Sequence, residues 1–119
     1  MPVSQELIKG TVVPVVLALL KERPRYGYEM VQLVNARTNG ALSWSEGTLY
    51  PVLHRLEADG LVRAEWKGGG GKDDSRPRRY YTPTSAGRRE LTRRAAEWKS
   101  FTSAVGSFLG GSSRAEVAP

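Results

Sequence analysis

The side chains of this chain that could do chemistry are mainly cationic, and they are concentrated in one segment. Residues 61–94 contain ten of the 18 Lys and Arg and four of the 12 Asp and Glu, so this segment accounts for the whole formal net charge of +6. A basic cluster of this kind favours a polyanion such as a nucleic acid. An acidic partner protein would be attracted by the same charge, so a protein-interaction module is the alternative.

Catalytic arrangements are poorly supported by the sequence. His54 is the only histidine, and the chain contains no cysteine. A histidine cluster and a thiolate metal site are therefore excluded. The glycines at 68–71 lack both the G-x-x-x-x-G-K-[ST] pattern and the strand-to-helix context of a phosphate loop. We predict that the protein is not an enzyme and that it uses no metal and no cofactor.

Two helices are predicted in the first forty residues. The first runs from about Ser4 or Thr11 to Lys21, and Thr11 as its N-cap would leave Pro14 in the first turn, where its missing N–H does little harm. Its buried face is marked by apolar residues at helical spacing, Val12, Val15, Val16, Leu19 and Leu20. The second helix runs from Tyr26 or Gly27 to about Thr38. The following Asn39 and Gly40 tolerate the left-handed conformation that ends a helix.

A third helix begins near Ser43 or Ser45 and ends before Gly60. Ser43 and Glu46 have the spacing of a capping box. Pro51 disfavours helical geometry at the residue before it, so either the helix tightens there or its ordered part begins late. The buried face is marked by Leu49, Val52, Leu53 and Leu56.

The basic segment itself predicts a hairpin. Residues 61–66 and 79–82 are typical of strands, and the glycines between them predict a mobile tip. Trp66, Tyr80 and Tyr81 stand at strand positions, where a role in the hairpin core is favoured over stacking on single-stranded bases. A helix followed by a basic hairpin indicates a winged helix-turn-helix, so the predicted fold is mainly α with a small β-hairpin.

A last helix follows Thr84 and carries a heptad seam. Such a seam packs either on its own domain or on a second copy of itself. Dimerisation is favoured because three helices and a hairpin already supply a core. The seam and its two flanking phenylalanines are Leu91, Ala95, Trp98, Phe101, Thr102, Val105, Phe108 and Leu109. We therefore predict a DNA-binding domain at 1–83, a dimerisation helix at 84–109 and a disordered tail at 110–119.

The third helix and the hairpin supply the candidate DNA contacts. A helix whose early outward residues are small can enter the major groove, and its N-terminal amides can bind phosphate. For His54 a plain surface role is the alternative, and for Arg55 a solvated charge cluster with Glu57 and Asp59. The candidates are Ser43, Ser45, Thr48, Tyr50, His54 and Arg55 on the helix, and Lys67, Lys72, Arg76, Arg78 and Arg79 on the hairpin.

Three motifs resemble those of the PadR family of bacterial transcriptional regulators over about residues 7–105. They are Y-G-Y-E-M at 26–30, G-T-L-Y-P-V-L-H-R-L-E-A-D-G-L-V at 47–62 and R-R-Y-Y-T-P-T-S-A-G at 78–87. The resemblance implies a helix-turn-helix of segments 26–38 and 45–59, with 45–59 in the groove and 67–77 as the wing. Tyr26 and Tyr50 match aromatic positions at which contacts to DNA or to the helix-turn-helix core are expected.

The same resemblance implies how such a protein works. Family members usually act as homodimeric repressors that bind a pseudo-palindromic operator and release it when an effector binds. In the compact branch, some members hold a flat aromatic compound between the subunits, and Trp98 would stack on it. A sensor whose main event is this ligand binding is a further alternative.

The sequence also bears on location. The longest apolar run, 12–20, is interrupted by Pro14 and is too short to cross a membrane. The first residues lack the basic start of a secretory signal. We expect a cytoplasmic protein.

Overall fold

Five helices and three short strands make up the computed structural model, which describes residues 2–69 and 76–110. The helices are α1 (Gln5–Lys9), α2 (Val12–Glu22), α3 (Gly27–Arg37), α4 (Glu46–Ala58) and α5 (Ser85–Leu109), and the strands are β1 (Arg25–Tyr26), β2 (Val62–Lys67) and β3 (Arg78–Pro83). The strands form an antiparallel sheet in the order β1-β3-β2. The prediction of a mainly helical fold with a small hairpin is confirmed.

Strand β1 was not predicted. It has two residues, and it pairs with β3 through Arg25 opposite Tyr81 and Tyr26 opposite Tyr80. A strand of two residues is too short to show the alternation of apolar and polar residues that predicts a strand. Its partner also lies more than fifty residues away in the sequence. Three predictions fall outside the described residues, namely Lys72, the end of the glycine run and the tail after residue 110.

The core lies where α2, α3 and α4 meet. Leu17, Met30, Leu49 and Leu53 are completely inaccessible to solvent, and Tyr81 closes the core from the hairpin side. The leucines of α4 recur at helical spacing, so they turn one face of α4 inward and leave the opposite face to solvent. The packing of α4 therefore orients the surface on which the DNA contacts are predicted.

Most predicted helix ends are present. Asn39, Gly40 and Gly60 have φ values of 52°, 79° and 75°, which is the left-handed conformation expected of them. Pro14 lies in the first turn of α2 as predicted. Thr11 is the N-cap residue of α2 as predicted, but its hydroxyl donates to the Ile8 carbonyl at 2.8 Å and makes no capping hydrogen bond to α2.

The predicted capping box at the start of α4 is wrong. Ser45 is the N-cap, and its Oγ accepts a hydrogen bond from the Thr48 amide at 3.2 Å. Ser43 lies outside the helix at φ 49°, so Glu46 becomes the first helical residue. Helix α4 continues through Pro51, which cannot donate to the carbonyl four residues before it. That carbonyl belongs to the exposed Gly47, so water can satisfy it.

Helix α5 is tied to the hairpin at its first turn. The Thr84 Oγ1 accepts from the Gly87 amide at 3.1 Å and donates to the Gly60 carbonyl at 2.7 Å. Gly87 is buried so closely that a Cβ there would overlap the Leu61 carbonyl oxygen. At about 1.5 Å per residue the helix is roughly 37 Å long, in a molecule of 64 × 31 × 21 Å. Its second half therefore extends away from the core.

Candidate nucleic-acid interface

A cleft of about 660 Å³ lies between the exposed side of α4, the start of α3 and the hairpin. Its wall combines aromatic rings with cationic side chains. This cleft brings together predicted contacts from three separate stretches of the sequence. The residues that line it include Tyr26, Tyr50, His54, Trp66, Arg76, Arg78 and Arg79.

Aromatic rings hold the hairpin cations in place. The guanidinium carbon of Arg78 lies 4.7 Å from the centre of the Tyr26 ring, and the Lys67 Nζ lies 5.4 Å from the centre of the Tyr80 ring. Tyr26 and Tyr80 meet edge to face, with ring centres 5.3 Å apart. A cation over an aromatic face is attracted by the ring quadrupole. The short β1–β3 pairing therefore aligns positive charge along one side of the hairpin.

Arg79 has a different environment from Arg78. Its Nη2 donates to the Glu57 Oε2 of α4 at 2.7 Å, and its guanidinium carbon lies 5.7 Å from the centre of the Tyr81 ring. The charge of Arg79 is thus matched within the protein. This ion pair joins the hairpin to α4.

Tyr50 lies in the wall of the cleft, half buried. Its ring packs against Gly27, where a Cβ would overlap the ring, and its hydroxyl donates to the Glu46 Oε2 at 3.4 Å. Burial, together with the negative charge of Glu46, raises the pKa of Tyr50 above its ordinary value. The hydroxyl therefore stays protonated at neutral pH and remains a hydrogen-bond donor at the mouth of the cleft.

The outward face of α4 is flat and nearly neutral. Gly47, Pro51, His54 and Arg55 are exposed there. At the N-terminal end of α4, the Ser45 and Thr48 hydroxyl groups are hydrogen-bonded to each other at 3.1 Å. Ser43 is exposed just before the helix. Short side chains at the first turns let another surface approach the helix backbone closely. The predicted contacts of α4 thus share one accessible surface with the cleft.

Trp66 is not part of the hairpin core, contrary to the prediction. Its side chain is 66% exposed, while Val62 on the same face of β2 is 2% exposed. Strand alternation predicts which residues share a face but not where the core beneath that face ends. Tyr81 is buried as predicted, and Tyr80 is half buried. Trp66 is the residue of the cleft wall that sequence reasoning assigned wrongly.

The predicted seam of α5 is largely solvent-exposed. Trp98 is 48% exposed and Phe108 is 88% exposed, and the Trp98 and Phe101 ring centres lie 5.7 Å apart. Leu91 differs, since it is half buried against the core of its own chain. The exposed members are Ala95, Trp98, Phe101, Thr102, Val105, Phe108 and Leu109. Leu7 of α1, also exposed, was not among the predicted surface residues.

The described part of the chain has neither a membrane-spanning helix nor a metal-binding cluster. None of its helices combines the length and the apolar character needed to cross a membrane. Over residues 2–69 and 76–110, no three His, Asp or Glu side chains are grouped so as to hold a metal ion.

Known proteins are similar to this chain in both sequence and fold. Residues 16–93 match the family model described as the transcriptional regulator PadR-like family. The transcriptional regulator Rv3488 of Mycobacterium tuberculosis is 44% identical over 81 residues, which cover 66% of this chain and 59% of that protein. The family match includes α3, α4 and the hairpin.

Solved structures agree over nearly the whole chain. A transcriptional regulator from Clostridium thermocellum superposes with a TM-score of 0.78 at 28% identity, covering 89% of this chain and 97% of its own. A PadR family transcriptional regulator from Eggerthella lenta DSM 2243 gives a TM-score of 0.72 at 38% identity, and the match covers 90% of this chain and 88% of that one. All three of these proteins are described as transcriptional regulators. Because the family model spans well over half of the chain, the protein belongs to the PadR-like family of transcriptional regulators.

Proposed function

We propose that this regulator is a cytoplasmic homodimeric repressor that binds a pseudo-palindromic DNA operator and releases it when a small aromatic effector binds. The observation that carries the proposal is the placement of the neutral outward face of α4 beside a hairpin whose cations are held on aromatic rings. One element then reads sequence and the other binds the charged backbone. Family membership supports DNA-binding regulation. The surfaces of α4, the hairpin and α5 are the basis for proposing the operator, the dimer and the effector.

Helix α4 is suited to the major groove. The groove is wide enough to admit a helix, and the exposed Gly47 and Pro51 present little bulk at the first turns. His54 and Arg55 follow on the exposed side and can reach base edges, where an arginine pairs with guanine. Ser43, Ser45, Thr48 and the helix N-terminal amides would contact phosphate, which is favoured at a helix N-terminus.

The hairpin would supply most of the affinity. Arg76, Arg78 and Lys67 would bind phosphates, Lys72 extends the same basic loop, and the Tyr26 and Tyr50 hydroxyls are within the same wall. We assign Arg79 the smaller part, since it is paired with Glu57. With about three ionic phosphate contacts per subunit, the log of the dimer's affinity would fall against log salt with a slope near −5.

A second copy of the chain would cover the exposed seam of α5. Large apolar side chains in one contiguous exposed row mark an interaction surface, and a two-fold dimer buries the same surface of both copies. Two copies of α4 related in this way would read two related half-sites, which is what a pseudo-palindromic operator provides.

The effector would lie between the two copies of α5. Trp98 and Phe101 are neighbouring half-exposed rings on the proposed interface, and a planar aromatic compound would stack on the indole. Planar aromatics should quench tryptophan fluorescence in the wild-type dimer, and Trp98→Ala should abolish that binding. Unchanged binding in Trp98→Ala would refute this role of Trp98.

The decisive experiment is selection of bound duplexes from random oligonucleotides, followed by salt titration of the selected duplex. We expect two related half-sites and a steep salt dependence. An affinity insensitive to salt would contradict the phosphate contacts. If no specific DNA complex forms at moderate salt, the protein-interaction module becomes the better description of the basic hairpin.

A further inference from the structure

Trp66 is a large apolar side chain that the fold itself does not use. It lies near the end of β2, opposite Arg79 in the strand pairing, and two thirds of its surface is exposed. Burial of so large a ring would be favourable, because it removes apolar surface from water. The fold of this chain leaves most of that free energy unused. Trp66 nevertheless forms part of the wall of the cleft between α4 and the hairpin.

The surroundings of Trp66 are complementary to a polyanion that also has apolar parts. Tyr26 and Tyr50 add aromatic surface to the same wall, and Arg76 and Arg78 add positive charge. A nucleic-acid strand alternates in the same way, because each anionic phosphate is followed by a sugar with an apolar face. In an intact duplex the bases are paired inside, so an indole beside the groove meets sugar and phosphate rather than a base.

We propose that this cleft holds the sugar-phosphate backbone of one strand of duplex DNA, with Trp66 packed against a deoxyribose and Arg76 and Arg78 on the flanking phosphates. The inference rests on the proposed DNA-binding function and adds a contact that carries no charge. Trp66 would contribute affinity without reading sequence, because every nucleotide has the same sugar. Its contribution would also be independent of salt, since no counterion is released when an indole packs against a sugar.

The test compares Trp66→Ala, Trp66→Phe and Arg78→Ala in the full chain, using labelled operator duplex and a scrambled duplex across a salt series. Trp66→Ala should weaken binding to both duplexes by about tenfold, the size expected on loss of an aromatic anchor. The salt slope should stay unchanged. Trp66→Phe should recover most of the affinity, whereas Arg78→Ala should reduce the slope by about 1.

Each other outcome has a separate meaning. If wild type binds neither duplex, the proposed function fails before Trp66 is tested. If Trp66→Ala binds both duplexes as wild type does, the cleft assignment is overturned. A loss confined to the operator would overturn it as well, since that result means base reading. Unfolding midpoints should match in all variants, because Trp66 is exposed.

Fluorescence provides an independent measurement. In a Trp98→Phe background the remaining tryptophans are the buried Trp44 and the exposed Trp66. Scrambled duplex should protect Trp66 from iodide quenching. Protection by anilinonaphthalene sulfonate, a free aromatic anion, with none by duplex would overturn the assignment in favour of a small-molecule site.

Discussion

Among single residues, Arg78 and Arg79 show how neighbours on a strand acquire different roles. Successive side chains of a strand point to opposite faces. Arg78 lies over the Tyr26 ring, while Arg79, on the face of the sheet that also carries Trp66 and Tyr81, is paired with Glu57 of α4. One arginine therefore lies exposed over an aromatic ring, and its neighbour joins two elements of the protein.

Single substitutions should separate these two roles. Arg78→Ala should weaken binding to every duplex and reduce the salt slope by about 1, with little change in the free energy of unfolding. Arg79→Ala should lower the free energy of unfolding by about 0.5 kcal/mol, since an ion pair about one third exposed is partly screened. Salt titration and urea denaturation measure the two effects. A flatter salt slope in Arg79→Ala without loss of stability would contradict this division.

Gly27 is required by close packing and not by its backbone angles. A Cβ at Gly27 would overlap the half-buried Tyr50 ring, whereas a Cβ at Gly47 would lie 3.7 Å from the Ser45 Oγ, an ordinary contact. Gly27→Ala should cost about 1–3 kcal/mol of unfolding free energy through overpacking. The matched control Gly47→Ala should keep stability or raise it by up to about 1 kcal/mol. Equal stability of the two variants in urea would show that Tyr50 moves aside freely.

Among the elements, α5 contains a local charge cluster near its start. The Glu90 carboxylate accepts from the Arg93 Nη2 at 2.7 Å and from the Arg94 Nε at 2.6 Å. These hydrogen bonds, that of Arg93 being the larger cause, lower the pKa of Glu90 from 4.5 to about 2. A carboxyl whose pKa is lower in the folded state stabilises that state only while it is ionised.

This lowered pKa predicts a pH dependence of stability. The contribution of Glu90 should be complete above its unfolded pKa of 4.5 and should be lost as the pH falls towards about 2. Between these two pH values, the free energy of unfolding should fall less in Glu90→Gln than in wild type. The difference between the two proteins should shrink in high salt, because the Glu90 ion pairs are at the surface. The free energy of unfolding in urea at both ends of the window is the measurement. Glu97→Gln is the control, since Glu97 lies 3.9 Å from Arg93 and should follow wild type.

For the molecule as a whole, the second half of α5 carries apolar side chains that the core of the chain does not cover. Its row of exposed apolar side chains extends beyond the core, and Phe108 and Leu109 near its end are 88% and 77% exposed. Leu91 belongs to the opposite end of the helix and packs on the core of its own chain. Substitution of Leu91 would therefore test folding, and substitution near the free end would test assembly.

A paired substitution at the free end should separate the subunits. Val105→Glu with Phe108→Glu should give a folded monomer, because charge on both copies of a two-fold interface is repelled and desolvated. The control Ser103→Glu places one glutamate on the other face of α5 and should leave the proposed dimer intact. Sedimentation velocity gives the mass, and circular dichroism reports folding. A persistent dimer in the double variant would mean that the subunits meet elsewhere.

Much of the fold could be predicted because its signals are local. Helix ends depend on a few neighbouring residues, so Asn39, Gly40, Gly60 and Thr84 were all identified correctly. The capping box predicted for Ser43 and Glu46 was wrong although its signal is also local, because Ser45 offers a competing cap two residues later. Most of the exposed row on α5 was also predictable, since a heptad spacing depends only on the helical repeat.

The sequence by itself determined the helices, the hairpin, the concentration of charge in one segment and the family resemblance. Only the tertiary structure decided that Trp66 is exposed, that β1 completes the sheet and that Arg79 is paired with Glu57, 22 residues before it. These features depend on contacts between distant residues. Local patterns carry no information on where the core ends or which charges meet. The candidate site is such a feature, because its cleft forms only when α3, α4 and the hairpin pack together.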